Sequence, residues 1–262
     1  MKLSKKNILA KALFFTLMFL SCTAEAKSFF LGSYPYEADG RSRPVEWIVI
    51  REMPDGKMLA ASKYAIDAMD FNDGPNAQIT WENSALRRWL NGYFLHAAFT
   101  KEEKNRLAKM PLLPADNAAY KVSGGNPTKD KVFLLSAEEA EKFFASGKER
   151  IIYPTPYTAS KPVIKSENGA VNWWLRTVGR KDDDDPEEPR LCTNTGCMAR
   201  VTFNGRIHIY GTMIYSSSNA LYGIRPAIML EPENKKNGDD EKQNRKQEPV
   251  LPENFQLKTW KQ

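Results

Sequence analysis

The most distinctive grouping of chemistry-bearing side chains in this 262-residue chain is Asn172-Trp173-Trp174-Leu175-Arg176-Thr177. Strand alternation sends Trp173 and Leu175 to one face, and Trp174 and Arg176 to the other. Two uses of such a segment compete. In one, the indoles fill a core and Arg176 pairs with a buried carboxylate. In the other, an aromatic platform with an arginine donor lines a groove suited to a sugar ring or a carboxylate. Arg225, inside a later apolar segment, joins Trp173, Trp174 and Arg176 as a candidate ligand-binding residue.

Other constellations are thinner. Cys192 and Cys197 are close enough in sequence to close a small disulfide loop in an oxidising compartment. Free thiols and a reactive redox or copper pair stay open beside that reading. A zinc site would want more ligands, and the two histidines, His96 and His208, lie far off in sequence. The run Asp182–Asp185 offers hard oxygen ligands for Ca²⁺. It lacks the alternate-residue spacing and the glycine of a calcium loop, and reads better as a solvated loop. Glu46 and Glu82 are the carboxylates to consider for acid–base hydrolysis, but nothing in the sequence places them together. There is no Walker loop, Gly-x-Gly-x-x-Gly, His-Glu-x-x-His or Gly-x-Ser-x-Gly motif and no nucleophile–base pair. The expectation is therefore no catalytic residues and no resident cofactor or metal.

These residues need a frame, and the chain divides into three parts. Residues 1–26 read as an export signal: Lys2, Lys5, Lys6 and Lys11, then the apolar run Ala12–Leu20, then Ala24-Glu25-Ala26 as a small-x-small cleavage site. Cleavage after Ala26 is favoured over lipoprotein processing before Cys22, because Phe19 and Leu20 fit a lipobox poorly. The run is shorter than the about 20 residues of a spanning helix, and no later stretch reaches that length. Of the formal charge of +6, half resides in this leader. What remains is an ordinary surface balance, not the footprint of a nucleic-acid binder. Residues 27–231 form the domain. Residues 232–262 form a tail whose charged and amide composition up to Pro252 buries too little to order itself. Phe255, Leu257 and Trp260 near its end are available to dock on the domain or on a partner.

Within the domain, Phe29–Tyr34, Val45–Ile50 and Lys57–Ser62 read as a three-stranded meander turning at Asp55-Gly56. Leu86, Trp89, Leu90, Tyr93 and Phe94 share a helical face, capped by Asn83 or Thr80 and ended or kinked at Gly92. Thr100–Glu103 and Ser136–Glu139 are capping boxes, the second directly after the apolar Lys131–Leu135. Gly147 to Asn168 reads as loop. Asn204-Gly205 signals a hairpin, and Gly205 in a left-handed bulge pairs Val201 with Ile207 and Ala199 with Ile209. Tyr222–Leu230 reads as the last strand, with Pro226 at a start, an edge or a bulge.

Taken in order, Phe30-Leu31-Gly32-Ser33-Tyr34-Pro35, Val45-Glu46-Trp47, Thr80–Ser84, Arg88–Asn91, Ala98-Phe99-Thr100, Asp130–Ser136, Trp173–Thr177 and Gly223–Ile228 resemble a bacterial domain of unknown function, number 6273, across Ser28 to Leu230. That family is similar to a variant of the C-type-lectin-like fold, shared with formylglycine-generating (sulfatase-modifying) enzymes and with bacterial ligand-binding proteins. The resemblance implies an α+β domain with a mixed sheet, two or more short flanking helices, long loops, and first and last strands paired. Formylglycine-generating enzymes use a cysteine pair, but Cys192 and Cys197 match no pattern of theirs, so that activity is not carried over. Three functions follow as expectations: an exported non-catalytic binding domain for carbohydrate, peptide or an envelope protein; an extracytoplasmic enzyme; or a structural surface protein. Ligand and oligomeric state stay open.

Overall fold

The computed structural model describes residues 27–180, 196–215 and 220–232. The segment read as an export signal, with Cys22, the run Asp182–Asp185, Cys192 and the tail beyond Pro232 lie outside the described residues. Those described form a mixed α+β domain, mostly sheet with few short helices. The opening strands β1 (Ser28–Pro35), β2 (Ser42–Glu52) and β3 (Met58–Ser62) make the expected antiparallel meander. A second sheet holds β4 (Asp67–Met69), β8 (Trp173–Val178), β9 (Cys197–Val201), β10 (Ile207–Met213) and β11 (Tyr222–Ile224). The first sheet is completed by β7 (Val132–Phe133) and β12 (Ala227–Leu230), and β5 (Met110–Leu112) pairs with β6 (Thr128–Asp130).

The sheet orders are β1-β2-β3-β12-β7 and β10-β9-β8-β11-β4. The last strand therefore pairs with β3 and β7, not with the first strand, which corrects the expected pairing of chain ends. β1 is itself irregular. It bulges between Phe30 and Ser33, and the freed Gly32 N–H donates to the Glu103 carboxylate at 2.9 Å. Gly32 has φ +71°, and a Cβ there would sit 2.8 Å from the Ala98 carbonyl oxygen, so a helical corner presses on this strand. The meander's other edge, β3, receives β12.

The two sheets share one ribbon. β3 leads into β4, and β11 leads into β12 across Arg225-Pro226. The ladder continues through the crossing: Ser62 N–H donates to the Pro226 carbonyl at 2.9 Å, and Ile66 N–H to that of Ile224 at 3.0 Å. The single strand expected over Tyr222–Leu230 is thus two, in different sheets. Pro226, which has no N–H to give, sits at the switch as proline chemistry requires.

Helices α1 (Ala85–Trp89) and α2 (Leu95–Ala98) are joined by a π-helical turn at Leu90–Phe94 around Gly92. The cap is Ser84, whose hydroxyl accepts from the Arg87 N–H at 3.1 Å, while Asn83 accepts from the Thr80 N–H. Both expected capping boxes form, on α3 (Lys101–Arg106) and α4 (Ala137–Phe143). The segment read as loop contains α5 (Gly147–Arg150) and α6 (Pro156–Ala159), each a single turn. The hairpin pairs Val201 with Ile207 around Gly205 at φ +79°, as read. The expected Ala199–Ile209 pair is lost to a second irregularity, which brings Met198 opposite Thr212.

Candidate functional site

The capping box of α4 sets the orientation of the carboxylates at the site. Ser136 Oγ accepts from the Glu139 N–H at 3.1 Å, and Glu139 Oε2 accepts from the Ser136 N–H at 2.8 Å. The Ala137 N–H, another orphan donor of this helix start, is taken by Thr177 Oγ1 of β8 at 2.9 Å. Glu139 is thereby held with Oε1 free to accept from Arg176 Nη2 at 2.5 Å. Arg176 Nη1 donates to the Leu113 carbonyl at 2.9 Å, and its buried Nε has no partner among the described residues.

This ion pair lies in the lining of a groove of ≈ 1320 Å³. Its three walls are distant in sequence. Residues 113–119 form one, α4 the second, and the β9–β10 hairpin with the start of β10 the third. Asn117 fixes the first wall, its Nδ2 donating to the carbonyls of Val178 and Ile209 at 2.9 Å each. Arg150 fixes the third, its Nε donating to the Gly205 carbonyl at 2.9 Å. A Cβ on Gly205 would meet the Gly147 oxygen at 1.9 Å, so the hairpin tip docks here only as glycine. Acids stand on two walls, with Glu138 and Glu141 on α4 and Asp116 opposite; Arg206 and His208 stand on the third. Glu138, Arg206 and Asp116 are exposed, whereas Arg176 is 4% exposed.

The other candidates lie in the core. Trp173 and Trp174 have no exposed surface. Trp173 donates through Nε1 to the Arg150 carbonyl and Trp174 to that of Met69, both at 2.9 Å. Trp174 packs against Phe71 and Tyr222, with ring centroids 5.5 and 4.7 Å away. Arg225 is 2% exposed, its guanidinium 4.6 Å from the Phe144 ring centroid and 5.2 Å from that of Trp173. Its Nε donates to the Ser62 carbonyl at 3.0 Å, and Nη1 has no partner among the described residues. Burial pushes its pKa down to about 9.

Strict alternation would put Arg176 on the face of Trp174. Instead it shares α4 with Trp173, since Trp173 touches Phe144 at the helix end and Arg176 pairs with Glu139 in its first turn. The register of β8 against β9 shifts between Trp174 and Val178, which breaks the period of two. Glu46 and Glu82 do not come together: Glu46 bonds Ser28 and Lys63, Glu82 bonds Asn126. Cys197 is disulfide-bonded.

Two buried carboxylates escaped the sequence reading. Asp130 accepts from Trp81 Nε1, Thr128 Oγ1 and Arg87 Nε, at 2.9, 2.7 and 2.9 Å. Asp67 accepts from the Tyr34 hydroxyl at 2.8 Å and from Lys161 Nζ. Burial and then the Asp67 charge raise the Tyr34 pKa. Burial is the largest single influence on Lys161 and pulls its pKa down, but the charge and hydrogen bond of Asp67, together with those of Tyr157, outweigh it and the net shift is upward. The partners of Asp67 are 33 and 94 residues away, and those of Asp130 other than Thr128 are 43 and 49 away, so no local sequence signal marks either cluster. For Glu139 a signal existed in its capping box, which gave its orientation but not its partner.

Among the described residues, no three or more His, Cys, Asp or Glu side chains are arranged to hold a metal ion, and no helix is long and apolar enough to cross a membrane. Fold and groove together define a two-sheet α+β domain with an open, charge-lined cleft. The chain belongs to the family described as Domain of unknown function (DUF6273), whose model matches residues 55–232. The strands β1 and β2 precede the matched span. No curated protein and no solved structure matches the chain.

Proposed function

We propose that this chain is an exported, non-catalytic binding domain whose ligand enters the groove over Arg176. One observation carries the reading: a ≈ 1320 Å³ groove has a buried, ion-paired arginine in its lining and side chains of both charges around it. A sheet domain needs no such concavity for stability. Preorganised ion pairs inside a concave surface suit recognition of polar, extended ligands, because the donors are fixed before the ligand arrives. Peptide and carbohydrate both meet this description. Export rests on the leader, cleaved after Ala26. A C-type-lectin-like ancestry is supported by the motif order and by N- and C-terminal segments sharing one sheet. Cys192 is proposed as the disulfide partner of Cys197, to be checked by peptide mapping of the unreduced protein.

The test is a glycan and peptide array probed with the chain from Lys27 to Gln262, repeated with Glu138→Lys and Arg206→Glu. Both positions are exposed, so the fold is expected to stay intact. Loss of about tenfold in affinity, near 1.4 kcal/mol, is expected for array members that bind the unaltered chain. Absence of binding to every member, or binding indifferent to both substitutions, would overturn the reading.

A further inference from the structure

A second concavity lies on the first sheet, away from the groove. It encloses ≈ 280 Å³ where β1 ends and β2 begins, and it is lined by Phe30, Tyr34, Tyr36, Pro44 and Tyr64 among others. Tyr36 and Tyr64 meet edge to face, with centroids 6.3 Å apart and planes at 82°. They make an aromatic notch. Phe30, 66% exposed, stands at its rim. The volume suits one or two small apolar side chains, not a cofactor. Crossed tyrosines beside prolines fit the flat rings of a polyproline II segment, which is largely preordered and has few N–H groups to satisfy.

The chain carries a sequence with prolines at the spacing of that helix, Glu248-Pro249-Val250-Leu251-Pro252-Glu253. In polyproline II, three residues make a turn, so Pro249 and Pro252 share one face. The glutamates flanking them match two cations at the notch, Arg43 over Tyr36 and Lys63 over Tyr64. Arg43 and Lys63 hold Glu37 and Glu46 in partly exposed pairs. Such pairs are worth little and exchange partners readily.

The reach also fits. Pro232, where the described chain ends, touches the β2–β3 turn, since a Cβ on Gly56 would lie 3.3 Å from its ring. The notch is at the far end of β2, roughly 20–25 Å away at about 3.3 Å per strand residue. A flexible linker as long as the stretch from Pro232 to Pro249 would average roughly 21–25 Å end to end, and a linker matched to its span gives the highest effective concentration.

We propose that residues 249–252 dock in the Tyr36–Tyr64 notch of the same chain. The experiment compares ¹H–¹⁵N spectra of the chain from Lys27 to Gln262 with those of a Pro249→Ala, Pro252→Ala double variant. The substitutions lie outside the described fold, so the domain itself is not at risk. The amide signals of Tyr36, Tyr64 and their neighbours are expected to move, by the same amount at every protein concentration. A synthetic peptide of residues 246–255, added in excess to the double variant, is expected to restore them, and Tyr64→Ala to weaken that peptide about tenfold or more. Unmoved notch signals would overturn the proposal. So would a shift that fades on dilution, which would make the occupant a second copy.

Discussion

Arg176 and Arg225 are the two arginines that the sequence grouped with the tryptophans, and both are buried. Their surroundings differ. Arg225 lies between Phe144 and Trp173 with, among the described residues, one backbone carbonyl as acceptor and no carboxylate. Arg176 holds a carboxylate and a carbonyl, and it lines a groove. A cation held by π faces and one backbone carbonyl supports the junction of two sheets and is closed to ligands. A cation held by an acid at the edge of a cavity is addressable. Burial alone separates neither role; the company of the side chain does.

The sharpest way to break this comparison is at Arg225. Arg225→Ala removes a fully buried side chain at the sheet junction and is expected to cost about 3–4 kcal/mol in urea unfolding. Arg225→Met keeps the volume between the two rings and drops the desolvated charge, so stability within about 1 kcal/mol of the parent is expected. Equal losses in the two variants would mean that the charge, not the packing, matters there.

A smaller effect is expected at the other arginine. Glu139→Gln retains a side chain that can complete the capping box but leaves Arg176 without a charged partner. The expected loss is about 1–2 kcal/mol, together with altered binding on the array. An unchanged array profile would place the pair in the scaffold beside Arg225.

A half-buried cation, Lys161, extends the comparison to pH. Lys161 has a folded pKa raised above 10.5, so its contribution is complete below that value and is lost as pH rises through the folded pKa. Tyr34, raised above 10.0, acts in the same direction, because the unfolded chain releases that proton first. The urea midpoint is expected to hold up to about pH 10 and to fall as pH rises above it. Tyr34→Phe should flatten part of that fall; an identical slope would remove Tyr34 from the cause. The smallest effect is expected at the rim, where Glu138→Lys should change stability by less than about 0.5 kcal/mol while lowering affinity.

Much of the frame was legible in sequence because its signals are local. Both capping boxes, the Asn204-Gly205 turn and the opening meander depend on residues within a few positions of one another. The site was legible only in halves. Arg176 stood out beside the tryptophans, but Glu139 and Leu113 reach it from 37 and 63 residues away. The irregularity in β8 moved Arg176 off its expected face, and no residue type announces it. The pairing of β12 was not legible for the same reason, since its partners β3 and β7 lie far from it in sequence.

The ribbon shared by the two sheets has a consequence for the order of events in synthesis. β12 joins β3 across almost the whole domain, and β11 joins β4 just before it. Neither sheet has all its strands until residues 222–230 exist as free chain. Long-range closure of this kind is slow, and little rewards it in advance. A chain stalled short of Leu230 would hold the meander, several helix starts and an open sheet edge, a species prone to pairing with its neighbours. The shared ribbon makes completion of the domain nearly one event, timed to the end of its sequence.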